Sequence, residues 1–142
     1  MSDLSVTAAN VVAGSAAIIN RNLLSAATIT AGEAVYLDTT IATPAWKLID
    51  ADAAVTGNEI ATKKGIALNG ASTGQPVAVD TYDTDFTPGA TLTNGLAVYS
   101  STTAGGITQA DIPTTGAYPT VLGIAKSTTK MVLNPTASGA II

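Results

Sequence analysis

Cysteine and histidine are both missing from this 142-residue chain. Without cysteine there is no disulfide, no thiolate nucleophile and no Cys-ligated metal. Without histidine the commonest general base and metal ligand is gone as well. Charge is scarce: Asp, Glu, Lys and Arg make up 11% of residues, against about 25% in an average soluble domain. The six basic residues are spread thinly and the net charge is −4. No basic stripe is available to neutralise phosphates, so nucleic acid is not an expected partner. The longest apolar stretch, at 11–19, is short and broken by Gly14 and Ser15, so no membrane span is expected. The opening MSDLSVTAAN has no Lys or Arg before Arg21 and lacks the basic region of a secretory signal. The chain reads as one made in the cytoplasm.

What is present is small, apolar and β-prone. Hydrophobic residues account for 46% but aromatics for only 4%, so most of the apolar content is alanine and valine. A core of such side chains is thin, because burial stabilises by about 25 cal/mol per Å² and alanine supplies little area. A protein of this kind gains from burying further surface against copies of itself or a partner. Alternation of apolar and polar residues, not a helical period, dominates the chain. EAVYLD (33–38), PVAVDTY (76–82) and KMVLNP (130–135) read as strands, as do the glycine-containing runs GIALNG (65–70) and TVLGIAKS (120–127). Turn signals such as TAG, TGN, TPG, TNG and TTG separate them. The expected fold is all-β, a small barrel or sandwich, with short helical turns at most, at DADAAV (50–55) and TQADIP (108–113).

One phrase occurs twice. Gly32-Glu-Ala-Val-Tyr36 is followed by WKLIDAD (46–52) and then GIA (65–67); Gly95-Leu-Ala-Val-Tyr99 is followed by GITQAD (106–111) and then GIA (123–125). Gly32 and Gly95 are 63 positions apart, Asp52 and Asp111 59, and Gly65 and Gly123 58, a drift that small loop deletions explain. The chain reads as a duplicated module of about 60 residues, each copy too small to bury both faces alone. Residues 29–81 and 92–134 are the two copies within a β domain spanning 29–142. Residues 1–28 belong to neither and are expected to form an N-terminal arm, either an edge strand on the barrel or a strand given to a neighbour.

Few residues invite a chemical role. Asp80, Asp83 and Asp85 form the densest acidic cluster. Three oxygens at that spacing suit Ca²⁺, but the glycine and distal glutamate of an EF-hand are absent, and the plain reading is a solvated loop. Asp52 and Asp111 hold matching repeat positions and read as turn caps. Tyr36 and Tyr99 also match, each expected to pack its ring on the barrel with its hydroxyl near the rim. Trp46 reads as a core plug or as the anchor of a subunit interface. No phosphate loop and no nucleophile elbow is present, and no catalytic, cofactor-binding or metal residue is assigned.

The segments ITAGEAVYLD, WKLIDADAA, KKGIALNGASTGQPVAV and VLGIAKSTTKMVLNP together resemble the small capsid decoration, or cement, proteins of tailed bacteriophages and prophages. The resemblance runs from about Ala17 to the C-terminus and rests on pattern and composition. It implies a β-rich, non-enzymatic subunit that binds the major capsid protein as a homotrimer on the exterior of the virion head, at three-fold and local three-fold sites, after synthesis in the host cytoplasm. Low charge lowers the desolvation cost of wide contacts, and many weak sites on one particle add avidity. The residues expected at a capsid or subunit interface are Leu4, Val6, Val11, Val12, Ile18, Ile19, Arg21, Trp46, Ile141 and Ile142. Two alternatives stay open: another virion part, such as a tail or head–tail joining protein, and a carbohydrate-binding β-module using the tyrosines and Trp46.

Overall fold

The computed structural model describes residues 3–51, 62–109 and 118–137. Within them the chain is all-β, as its alternation implies. The strands are β1 (Val11–Val12), β2 (Ile18–Asn20), β3 (Leu24–Ser25), β4 (Ala34–Asp38), β5 (Ala45–Leu48), β6 (Lys64–Ala67), β7 (Val79–Pro88), β8 (Ala97–Ser100), β9 (Ile107–Thr108), β10 (Thr120–Ala125) and β11 (Met131–Ala137). A single 3₁₀ turn, Ala8–Asn10, precedes β1. Of the expected helical turns at 50–55 and 108–113, residues 52–55 and 110–113 lie outside the described residues, as do Asp52 and Asp111, and Thr108 ends β9.

The duplication is visible in the hydrogen bonding. Strand order along the sheet is β3-β5-β4-β6-β7-β11-β10-β8-β9. Setting β3 aside, the order reads the same from either end once β4–β7 are matched with β8–β11. The registers match too. Ala34 faces Ile66 and Val35 faces Gly65; Ala97 faces Ile124 and Val98 faces Gly123. Gly32 N donates to Ala67 O and Ala67 N to Glu33 O, just as Gly95 N donates to Ala125 O and Ala125 N to Leu96 O. Each copy enters its first strand through the same turn, with Gly32 at φ 93° and Gly95 at φ 83°, a region where a side chain would be strained. A different residue holds each turn: Glu33 Oε1 accepts from Thr30 N in the first copy, Gln109 Oε1 from Thr93 N in the second.

Close packing explains the glycine in each GIA strand. A Cβ on Gly65 would lie 2.2 Å from Asp80 O, and one on Gly123 1.8 Å from Val132 O. Asp80 and Val132 are themselves counterparts, since Ile66 faces Asp80 and Ile124 faces Val132.

The two copies nonetheless present opposite faces to their shared core. That core gathers Ala34, Ile66 and Phe86 with Val98, Ala125, Met131 and Leu133, and Tyr36 packs against it. Val98, Ala125 and Met131 are the counterparts of Val35, Ala67 and Val79, which face a second core with Trp46, Ile29 and Val77. The first copy is therefore covered on both faces. Among the described residues, the second copy is covered on one. The β8–β9 hairpin returns to the first copy, where Ala34 N donates to Gly105 O and Gly105 N to Ile49 O, giving the fold its barrel-like closure.

The N-terminal segment takes the edge-strand role. Val11 and Val12 face Pro88 and Thr87, and Ile18, Ile19 and Asn20 face Tyr82, Asp80 and Val79. Residues 11–20 thus run antiparallel along β7. Leu4 N donates to Ile107 O and Thr7 N to Gly89 O. Leu4, Val6 and Val11 pack against the shared core.

Candidate functional site

The uncovered face of the second copy is the most distinctive surface of the molecule. Its strands run β8-β10-β11-β7, with β1 and β2 beyond β7. Ile124 on β10 faces Ala97 on β8 and Val132 on β11. Val121 faces Tyr99 and Thr136. Met131 and Leu133 face Phe86 and Asp83, all four buried, so the residues between them, Val132 and Thr84, point outward. Tyr82 continues that face along β7 and stands opposite Ile18. Exposure agrees: Ile124 is 55% accessible, Ile18 59%, Val12 55% and Tyr82 39%. Four of the six large exposed apolar side chains among the described residues lie on this one face. A shallow groove of about 430 Å³ runs through it, lined by Val121, Ile124, Val132 and Asn134 with Lys126 at its rim.

Beside the groove two lysines share one carboxylate. Lys126 Nζ and Lys130 Nζ each lie 2.8 Å from an Asp85 oxygen, and Lys126 Nζ also donates to Thr84 O at 2.8 Å. These two lysines hold the Asp85 carboxyl down to about 2. Asp38 is held down to about 2 in the same way by Lys47 and Thr40.

The acidic cluster is not the solvated loop its spacing suggests. It lies within β7, and Asp80 and Asp83 are fully buried. Asp83 accepts from Gly14 N at 2.7 Å and from Asp85 N at 2.9 Å, which ties the N-terminal segment to β7. The Asp80 oxygens accept no hydrogen bond. Burial first, and then the neighbouring Asp83 carboxyl, push Asp80 up to about 8. A protonated Asp80 can donate to Asp83, whereas two ionised carboxylates cannot pair. Among the described residues no group of three or more acidic side chains is placed to hold a metal ion.

The interface candidates divide. Val12 and Ile18 lie on the exposed face. Leu4, Val6 and Val11 are half-buried against the core, Ile19 is half-buried opposite Asp80, and Arg21 is exposed beyond β2. Trp46 corrects the expectation of an interface anchor: it is 0% exposed and packs in the second core, so its indole has no surface to offer. Ile141 and Ile142 lie outside the described residues. Tyr36 and Tyr99 are both half-buried. Tyr82, Ile124 and Val132 were not anticipated. Their signal is the alternation of the second GIA strand and of MVLNP, which turns Ile124 and Val132 to the same side of the sheet. No family model, no curated protein and no solved structure matches this chain.

Proposed function

We propose that the chain is a structural virion protein that decorates and stabilises the head of a tailed phage, binding the major capsid protein as a homotrimer on the capsid exterior. The observation that carries this reading is the apolar face of the second copy, set on a hydrogen-bonded β scaffold. The main apolar patch on a protein surface is often a contact surface. Duplication supports the same reading, since it enlarges a thin alanine-rich unit into a rigid platform for contacts. Attachment to a lattice of identical subunits then gains from avidity, and a three-fold assembly fits a three-fold seat.

The test is sedimentation of the purified chain with heads of the phage or prophage that encodes it. Saturable pelleting with expanded heads is expected. A chain that stays in the supernatant at micromolar concentration removes the proposal, and a ring of six subunits points instead to a tail or head–tail joining part.

A further inference from the structure

We propose that Asp80 and Asp83 form a proton-operated latch: one proton shared between their carboxyls keeps residues 13–20 seated along β7, and its removal lets that segment lift while both its ends stay anchored. Side chains at i and i+3 of a regular strand point to opposite faces, yet Asp80 and Asp83 are both fully buried. The register of β7 against β2 slips between Tyr82 and Asp80, and this irregularity brings the two carboxyls together. Asp83 is well supplied with donors, Gly14 N at 2.7 Å and Asp85 N at 2.9 Å. Neither oxygen of Asp80 accepts a hydrogen bond. The N–H of Tyr82 faces Asp80 from its own strand but stays short of one.

Among the described residues, the neighbouring elements face the pair with apolar groups. β2 places Ile19 opposite Asp80, β6 places Ile66 there, and β11 places Leu133 opposite Asp83. Residues 11–20 carry no acidic or basic side chain. Lys64 of β6 donates its Nζ to Thr62 O at 2.7 Å, and Lys126 and Lys130 both engage Asp85. A buried carboxyl without a donor, beside a carboxylate that has two, keeps its proton and donates it to that neighbour. When hydroxide takes this proton as water, two adjacent buried carboxylates repel, and Asp80 needs solvent. The cover that yields is the one with the fewest bonds. β2 is three residues long and lies off the main strand path, whereas β6 and β11 are each paired on both sides. Gly14 rests directly on the pair, since a Cβ there would lie 2.6 Å from Asp83 Oδ1. Leu4, Val6 and Val11 hold one end of the segment to the shared core, and Leu23 holds the other to the second core. The opening is therefore a local loop, and it bares the edge of β7 that β2 covers. The latch needs no capsid partner and stands apart from the decoration reading.

The test is hydrogen exchange of the full chain from pH 7 to pH 10, wild type against Asp80→Asn, with Thr120–Ala125 of β10 as the internal reference. The reference removes the general rise of exchange with pH. In the wild type, protection of residues 13–20 relative to β10 is expected to be level below about pH 8, where Asp80 holds its proton, and to fall about tenfold per pH unit above it, the linkage of a single proton. In Asp80→Asn, whose amide donates to Asp83 without a charge to lose, the ratio is expected to stay level. Fluorescence of the buried Trp46 is expected to stay constant in both. A wild-type ratio that stays level to pH 10, or one that falls equally in Asp80→Asn, overturns the inference. Exposure of Trp46 over the same range also overturns it, because the whole chain then opens instead of the segment. If Asp80→Asn does not fold, the wild-type ratio decides alone: a fall confined to residues 13–20 supports the latch and a level ratio removes it.

Discussion

Gly65→Ala and Gly123→Ala test the packing that the two copies share. Each places one methyl group between adjacent strands. At Gly65 the new Cβ meets Asp80 O at 2.2 Å and Val79 Cγ1 at 2.7 Å; at Gly123 it meets Val132 O at 1.8 Å and Val132 C at 2.9 Å. A relaxed carbon–oxygen contact is about 3.3–3.6 Å, so β6 and β7, or β10 and β11, must part by roughly 1 Å or more. Backbone oxygens cannot rotate away as a flexible side chain can. Overpacking costs about 1–3 kcal/mol, and each weakened ladder hydrogen bond adds about 0.5–1.5 kcal/mol. We expect about 3 kcal/mol or more from either substitution, a fall in Tm of roughly 6–12 °C for a chain of this size. Trp46 is the sole tryptophan and is 0% exposed, which makes urea unfolding by its fluorescence a direct assay. Gly74→Ala is the control: φ is +85° there, but a Cβ meets nothing within 4 Å, so only the backbone cost of about 1 kcal/mol applies. Either GIA variant within 0.5 kcal/mol of the wild type would refute the close-approach explanation.

Four further outcomes concern the acids and the N-terminal segment. Asp80 sits at about 8 rather than 3.8, so its stabilising proton is fully held below about pH 4 and is lost as pH rises through about 8; Asp80→Asn is expected to raise Tm at pH 9 by at least about 3 °C, taking only a single unit of the shift as about 1.4 kcal/mol, with no gain at pH 4, and equal Tm at pH 9 would contradict this. Asp38 and Asp85, both lowered to about 2, act in the opposite sense, so acid titration should show their contribution present above about pH 4 and lost toward pH 2. Asp83→Ala removes two hydrogen bonds to a buried carboxylate and should cost about 2–4 kcal/mol, with hydrogen exchange accelerating first in residues 11–20; unchanged protection there would mean that Gly14 is held by something else. Deleting residues 1–20 strips Leu4, Val6 and Val11 from the core and should leave a chain with no cooperative unfolding transition, whereas a stable truncated domain would restore the picture of a detachable arm.

Much of the scaffold was legible because repetition and alternation are local signals. MVLNP alternates as a half-buried strand does, and the two GIA segments announced matching strands whose registers coincide; AVYLD, covered on both faces, is nearly continuous apolar sequence. What escaped is long-range. Asp80, Asp83 and Asp85 read as loop residues because carboxylates favour solvent, yet β7 buries two of them, one pinning Gly14 and one held toward its neutral form. Trp46 was ambiguous because a lone tryptophan beside a turn suits a core or an interface equally, and only its neighbours Val35, Val77 and Ile29 decide. The exposed face was hidden for a related reason. Ile66 and Ile124 hold the same place in the repeat, and nothing in either strand says which is to be covered; the choice follows from the two copies turning opposite faces to one core.

Cryo-electron microscopy of expanded heads incubated with the purified chain tests the central claim most directly. Added density is expected at the three-fold and local three-fold positions of the shell. Shells that remain bare, or density confined to the tail or the portal vertex, would contradict it.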